Sequence, residues 1–212
     1  MASAKICGLK TPETVAAALE GGAAFLGFNF FAASPRAIAP DAAARLAAPV
    51  RGKARIVAVT VDPDDALLDR LMATLKPDLI QLHGKETPAR AAAVAARTGA
   101  GVIKVIPVSE ASDLTAASAY EPVVEHLMFD TKPPKGAVLP GGTGVAFDWT
   151  ILKGRRFSRP WFLAGGLDPW NVEEALAVSG APMADVSSGV ERGPGVKDPA
   201  LISAFLEAAR RA

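Results

Sequence analysis

Short runs of β-branched and aromatic residues alternate with Ala- and Leu-rich stretches along the whole chain. The runs at 4–7, 25–30, 55–61, 78–82, 102–108, 126–130, 160–164 and 184–187 predict eight strands. Helical spacing of apolar positions predicts helices over 11–20, 40–48, 64–75, 87–98, 112–119, 168–179 and 198–211. The first of these opens with Thr11-Pro12, a capping side chain followed by a residue preset for the first turn. After the sixth strand the chain is rich in Gly and Pro until 147–152, which predicts one short helix.

Strands that alternate with helices imply a parallel sheet. The runs IVAVTV and VIKVIPV are nearly continuously apolar, as strands covered on both faces must be. Eight such units, with no composition break or Ser/Gly linker, predict an α/β fold: one (β/α)8 barrel domain over residues 1–212. That length lies at the lower end of the roughly 200–400 residues of this fold, so helices and loops must be short. The rival is an open doubly wound sheet. It has no reason to count eight, and no GxGxxG follows the first strand.

Composition narrows the function. Lys plus Arg number 23 and Asp plus Glu 22, a formal net charge of +1. That balance argues against nucleic-acid binding through bulk charge, while leaving room for a local basic pocket. A single cysteine, Cys7, excludes an intrachain disulfide and a paired-cysteine metal site, and two histidines are too few for a His-rich centre. Residues 1–9 lack the basic and apolar runs of a signal peptide, and no apolar run is long enough to span a bilayer. A cytoplasmic protein with no membrane partner is the expectation.

In a (β/α)8 barrel the chemistry sits at the C-terminal ends of the strands. Read in order, those ends carry Cys7-Gly8, Ser34-Pro35-Arg36, Gln81-Leu82-His83-Gly84, Asp130-Thr131 with Gly141-Gly142-Thr143-Gly144 beyond, Ala164-Gly165-Gly166-Leu167 and Asp185-Val186-Ser187-Ser188-Gly189. Backbone N–H groups approach an anion closely only where no side chain intervenes. Barrels commonly place a phosphate beside the last two strands, where Gly165, Gly166, Ser187, Ser188 and Gly189 fall. The alternative is that these glycines only make tight turns. Cys7 likewise has two readings, a small buried hydrophobe or a proton acceptor whose reference pKa of about 8.5 lies one modest shift from neutrality. Asp130 is a cap or a reacting carboxyl. His83 is a polar filler or a ligand contact. Arg36 is solvated or grips a carboxylate.

Taken together, these stretches resemble the phosphoribosylanthranilate isomerases. The resemblance runs from Lys5-Ile6-Cys7-Gly8-Leu9 through Ser34-Pro35-Arg36, Gln81-Leu82-His83-Gly84-Lys85-Glu86, Gly141-Gly142-Thr143-Gly144 with Phe147-Asp148-Trp149, and Ala164-Gly165-Gly166-Leu167 with Asn171-Val172. It ends in Asp185-Val186-Ser187-Ser188-Gly189-Val190-Glu191 with Pro194-Gly195 and Lys197-Asp198. It implies a cytoplasmic, metal-free and cofactor-free barrel that works as a monomer or homodimer on a small phosphosugar. The implied reaction is an Amadori rearrangement on the route to tryptophan. The implied base is Cys7 and the implied acid Asp130. Arg36 would hold the anthranilate carboxylate, His83 would contact substrate, and the loops carrying Gly142, Gly165, Gly166, Ser187, Ser188 and Gly189 would hold the phosphate. Asn29 and Thr60 depart from the family's usual residues and are expected to alter the pocket. The stretch Lys132-Pro133-Pro134-Lys135 has no family counterpart.

Two other readings compete. A histidine-pathway isomerase acting on a substrate with two phosphates would resemble two half-barrels with paired aspartates, whereas here Cys7 ends the first strand. A non-catalytic phosphate-binding barrel would have no need of both Cys7 and Asp130.

Overall fold

The computed structural model describes residues 2–133 and 146–212. The chain runs β1 (Ser3–Cys7), α1 (Pro12–Glu20), β2 (Phe25–Asn29), α2 (Pro40–Ala47), β3 (Arg55–Thr60), α3 (Asp65–Thr74), β4 (Leu79–Leu82), α4 (Pro88–Thr98) and β5 (Gly101–Val108). It continues with α5 (Ala117–Tyr120), β6 (His126–Thr131), β7 (Trp161–Leu163), α6 (Val172–Ser179), β8 (Met183–Val186), β9 (Glu191–Gly193), β10 (Val196–Lys197) and α7 (Pro199–Arg211). Strands β1 to β8 pair in sequence order, all parallel, and β8 closes on β1 through Ser3↔Met183 to Ile6↔Val186. The fold is the expected (β/α)8 barrel.

The helices start where local chemistry dictates. Thr11, Asp64, Thr87 and Asp198 each cap a first turn by accepting from a backbone N–H, at Thr14, Leu67, Arg90 and Ala200 respectively. Gly99 and Gly180 end α4 and α6 in the left-handed region.

Side chains alternate between two cores, as a sheet covered on both faces requires. On β3, Ile56 and Ala58 join the layer between sheet and helices, whereas Val57 and Val59 point into the barrel. The barrel interior is filled by Phe25, Leu79, Ile103, Val105, Met128, Phe162 and Met183, so it is a packed core and not a pore. Phe25 and Phe162 meet edge to face with ring centroids 5.0 Å apart.

Three details differ from the expectation. The segment at 112–119 is mostly a 3-10 helix, Ala111–Ala116, followed by the single turn of α5. It is tied by Asp113, whose Oδ2 accepts from the N–H groups of Ser109 and Glu110. Those side chain to backbone bonds compete with α-helical ones. The short helix at 147–152 is also 3-10, Trp149–Leu152. After β8 the chain folds into the antiparallel hairpin of β9 and β10, which the sequence pattern does not indicate. Of the 132–135 stretch, Lys132 pairs with Asp113 at 2.9 Å, while Pro134 and Lys135 lie outside the described residues.

Candidate active site

A cavity of about 690 Å³, including its open mouth, lies at the C-terminal end of the strands. Six strands contribute an inward side chain at this level: Cys7, Asn29, Val59, Gln81, Asp130 and Asp185 all line it. His83, Arg36, Gly165, Gly166, Ser187 and Ser188 join them from the loops just beyond. The one thiol, one carboxyl and one guanidinium picked out from the sequence therefore face a common space.

Cys7 ends β1 and is buried. Burial pushes its thiol pKa up; Lys5 pulls it down, Asp185 adds to the rise, and Lys197 and Arg36 pull it down. The net direction is upward. Desolvation of the thiolate outweighs the cations around it.

Asp130 stands at the mouth end of β6, three strands from Cys7 by the shorter way round the barrel. Its Oδ1 accepts from the Thr131 backbone N–H at 2.8 Å. Its Oδ2 lies 3.2 Å from Nε2 of His83, out of line for a hydrogen bond. Gly165, at φ +84°, gives this carboxyl its room, because a methyl group there would overlap Asp130 Oδ1 and Thr131. On the far side of His83, its Nδ1 lies 3.3 Å from Gln81 Nε2. Gln81 Oε1 is buried with no hydrogen-bond partner among the described residues, and such an atom is costly unless a ligand completes it. Gln81 stands in the stretch Gln81-Leu82-His83-Gly84, where no role was expected of it. Its signal was its position two residues before His83, on the same face of a strand.

Arg36 is not solvated. Ser34 Oγ accepts from its backbone N–H and folds the loop inward. Its Nε and Nη2 donate to the two carboxylate oxygens of Glu191 at 2.8 and 2.9 Å, a bidentate pair. Lys197 donates to the same carboxylate at 2.5 Å and to the Ser187 carbonyl at 3.0 Å. The β9–β10 hairpin exists to make this cluster, since it carries Glu191 at one end and Lys197 at the other. Burial opposes the charge on Glu191, but its bond to Arg36 and the field of Lys197 hold its pKa below the ordinary carboxylate range. Burial pushes the Lys197 pKa down against the pull of Glu191. Removing the shared carboxylate would leave two buried cations, a change that costs about 3–5 kcal/mol for one broken pair.

Gly165, Gly166, Ser187 and Ser188 form one rim of the cavity. Gly165 and Gly166 both have positive φ, so the turn after β7 requires glycine. Gly189 is placed differently: it is absent from the lining, and a methyl group there would overlap the Leu167 carbonyl oxygen. Its role in the geometry is to let the loops after β7 and β8 touch. Gly142 lies outside the described residues. Asn29 lines the cavity and accepts from the Phe31 N–H at 2.8 Å. Thr60 does not line it. It points away from the cavity and donates to the Gln81 carbonyl at 3.0 Å, so its expected effect on pocket shape is corrected to a brace between β3 and β4.

Fold and site define a (β/α)8-barrel enzyme with a thiol, a carboxyl and a guanidinium around one cavity at the C-terminal ends of its strands. The model of the family N-(5'phosphoribosyl)anthranilate (PRA) isomerase matches residues 4–208. The N-(5'-phosphoribosyl)anthranilate isomerase of Caulobacter vibrioides is 68% identical over 210 residues, covering 99% of this chain and 96% of that one. The crystal structure of phosphoribosyl anthranilate isomerase from Thermotoga maritima superimposes with a TM-score of 0.89 at 33% identity, over 100% of both chains. A phosphoribosyl anthranilate isomerase in complex with reduced 1-(o-carboxyphenylamino)-1-deoxyribulose 5-phosphate matches with a TM-score of 0.85 at 31% identity, again over 100% of both. The chain belongs to the N-(5'-phosphoribosyl)anthranilate isomerase family.

Proposed function

We propose that this chain, as one barrel domain, converts N-(5-phospho-β-D-ribosyl)anthranilate into 1-(2-carboxyphenylamino)-1-deoxy-D-ribulose 5-phosphate with Asp130 as general acid and Cys7 as general base. The observation that carries this reading is the placement of the two groups on separate walls of one cavity, with a guanidinium on a third. Asp130 protonates the ribose ring oxygen as the C1–O bond breaks, leaving a protonated Schiff base to the anthranilate nitrogen. That cation acidifies the C2–H bond, and the Cys7 thiolate takes the proton. The enolamine then gains a proton at C1 and loses its hydroxyl proton to become the ketone. Protons gained and lost balance, and no step calls for a metal or cofactor.

The remaining residues bind. Arg36, held by Glu191, is placed for the anthranilate carboxylate. Gln81 Oε1 offers an acceptor to a ribose hydroxyl, and His83 contacts the same region. Gly165, Gly166, Ser187 and Ser188 hold the phosphate, and Gly189 lets the loops after β7 and β8 touch beneath them. Sedimentation of the purified protein distinguishes the monomer from the homodimer.

Expression in a bacterium lacking this isomerase tests the reading. Wild-type chain should restore growth without tryptophan and the Asp130→Asn variant should not; failure of wild type would remove the assignment.

Two quantitative expectations follow from the site. Arg36→Met keeps the stem and deletes the fork, while Lys197 still pairs with Glu191. Because the substrate carboxylate is charged in ground and transition states alike, KM should rise about tenfold or more, with kcat little changed. A variant that loses kcat alone would place Arg36 at the reacting centre. The second expectation concerns pH. A thiol raised above its ordinary value is mostly protonated at neutrality, so the base form grows as pH rises. The thiolate absorbance of the free protein should therefore grow in the alkaline range, above the ordinary thiol pKa. A thiolate fully formed below pH ~7 would contradict a desolvated thiol.

A further inference from the structure

We propose that Lys5 is a positioning residue for the reaction: its buried ammonium sustains the thiolate of Cys7. The inference rests on Cys7 being the base, and it starts from an oddity of the core. Lys5 has no solvent exposure and lies inside the barrel, against an interior packed mainly with Val, Ile, Leu, Met and Phe. A cation there is expensive, and a barrel has no structural need of one. Among the described residues its one ion pair is with Asp185 across the β1–β8 seam, at 2.8 Å.

The side chain is directed at Cys7. Lys5 and Cys7 are two residues apart on one strand, so both face inward. The neighbouring position on β2 is Gly27. A Cβ there would stand 3.1 Å from Lys5 Nζ and 3.1 Å from Cys7 Cα, so ammonium and Cys7 backbone are at most twice that distance apart. Any larger residue at 27 would fill the space in which the ammonium runs up beside the thiol. The other charges around Cys7 are Asp185 from β8, Lys197 from β10 and Arg36 from the loop after β2. Lys197 and Arg36 both lean on Glu191. Lys5 exerts the largest favourable pull on the thiolate of the three cations, and Asp185 opposes it. Burial works against the charge of Lys5, yet Asp185 and Cys7 together raise its pKa, so it stays an ammonium while the thiol titrates.

Cys7 is the sole cysteine, so the thiolate absorbance near 240 nm, taken as a difference from the same protein carrying Cys7→Ser, reports one group. Lys5→Met deletes the cation but strands Asp185; Lys5→Met with Asp185→Asn removes both charges and protects the fold. In Lys5→Met the thiolate midpoint should move upward by about one pH unit or more. The double variant should move in the same direction by less. Turnover below that midpoint should drop about tenfold or more and recover at higher pH, with KM near wild type. A midpoint unmoved in both variants would overturn the proposal, and so would a shift in Lys5→Met that vanishes in the double variant, because the stranded carboxylate would then be its cause. If the thiolate midpoint moves and the pH–rate profile does not, Lys5 supports the thiolate as proposed, and the assignment of Cys7 as the base is what fails.

Discussion

Replacing Asp130 by asparagine is expected to lower turnover by at least ~10²-fold while leaving ligand binding almost intact. Asparagine keeps the shape and keeps an oxygen to accept from the Thr131 N–H, the contact that orients this side chain. It cannot deliver a proton to the ring oxygen, so ring opening should fail. The phosphate rim and Arg36 are untouched by the change, so a product-like ligand should bind within about tenfold of wild type, roughly 1.4 kcal/mol. Melting temperature, affinity and single-turnover rate measured on one preparation separate this from a structural role. A carboxyl that served only the fold would lower the melting temperature and leave the rate per folded molecule unchanged.

The second large effect concerns Cys7. Serine at this position keeps the size of the side chain and its place at the end of β1, but exchanges a thiol for a hydroxyl that does not ionise in the accessible pH range. We expect kcat to fall at least ~10²-fold, with folding preserved because serine fills nearly the same volume. The alkaline rise of thiolate absorbance should disappear with it. A serine variant with near-normal turnover would remove Cys7 from the chemistry.

How far these roles are legible in the sequence depends on how local their causes are. The eight strands are legible because each is a short apolar run between turn residues, and the helix starts because Thr11, Asp64, Thr87 and Asp198 cap the turn that follows them. The β9–β10 hairpin is not legible. Its strands are three and two residues long and carry Glu, Arg and Lys, so no alternation marks them. With the hairpin missed, the fixing of Arg36 is missed too, since its partner Glu191 lies 155 residues away along the chain. Lys5 sits in plain view in Lys5-Ile6-Cys7-Gly8, but a lysine in a strand pattern reads as an exposed edge position. Only barrel closure through β8 brings Asp185 to it and buries both. The same holds for the thiol: its chemistry can be named from its position at a strand end, whereas the direction of its pKa depends on burial and on four charges from three other parts of the chain and its own strand. Thr60 shows the reverse error, a departure from the family's usual residue that turns out to face away from the cavity and brace two strands.

The central claim is that this barrel isomerises phosphoribosylanthranilate by means of Asp130 and Cys7. It is tested most directly by adding purified protein to freshly prepared substrate and following the loss of anthranilate-type fluorescence. Wild-type protein should drive the loss far above the spontaneous rate, with the ketone product accumulating in step, and the Cys7→Ser, Asp130→Asn double variant should return it to near that rate. Loss no faster with wild-type protein than without it would contradict the account, as would full activity in the double variant.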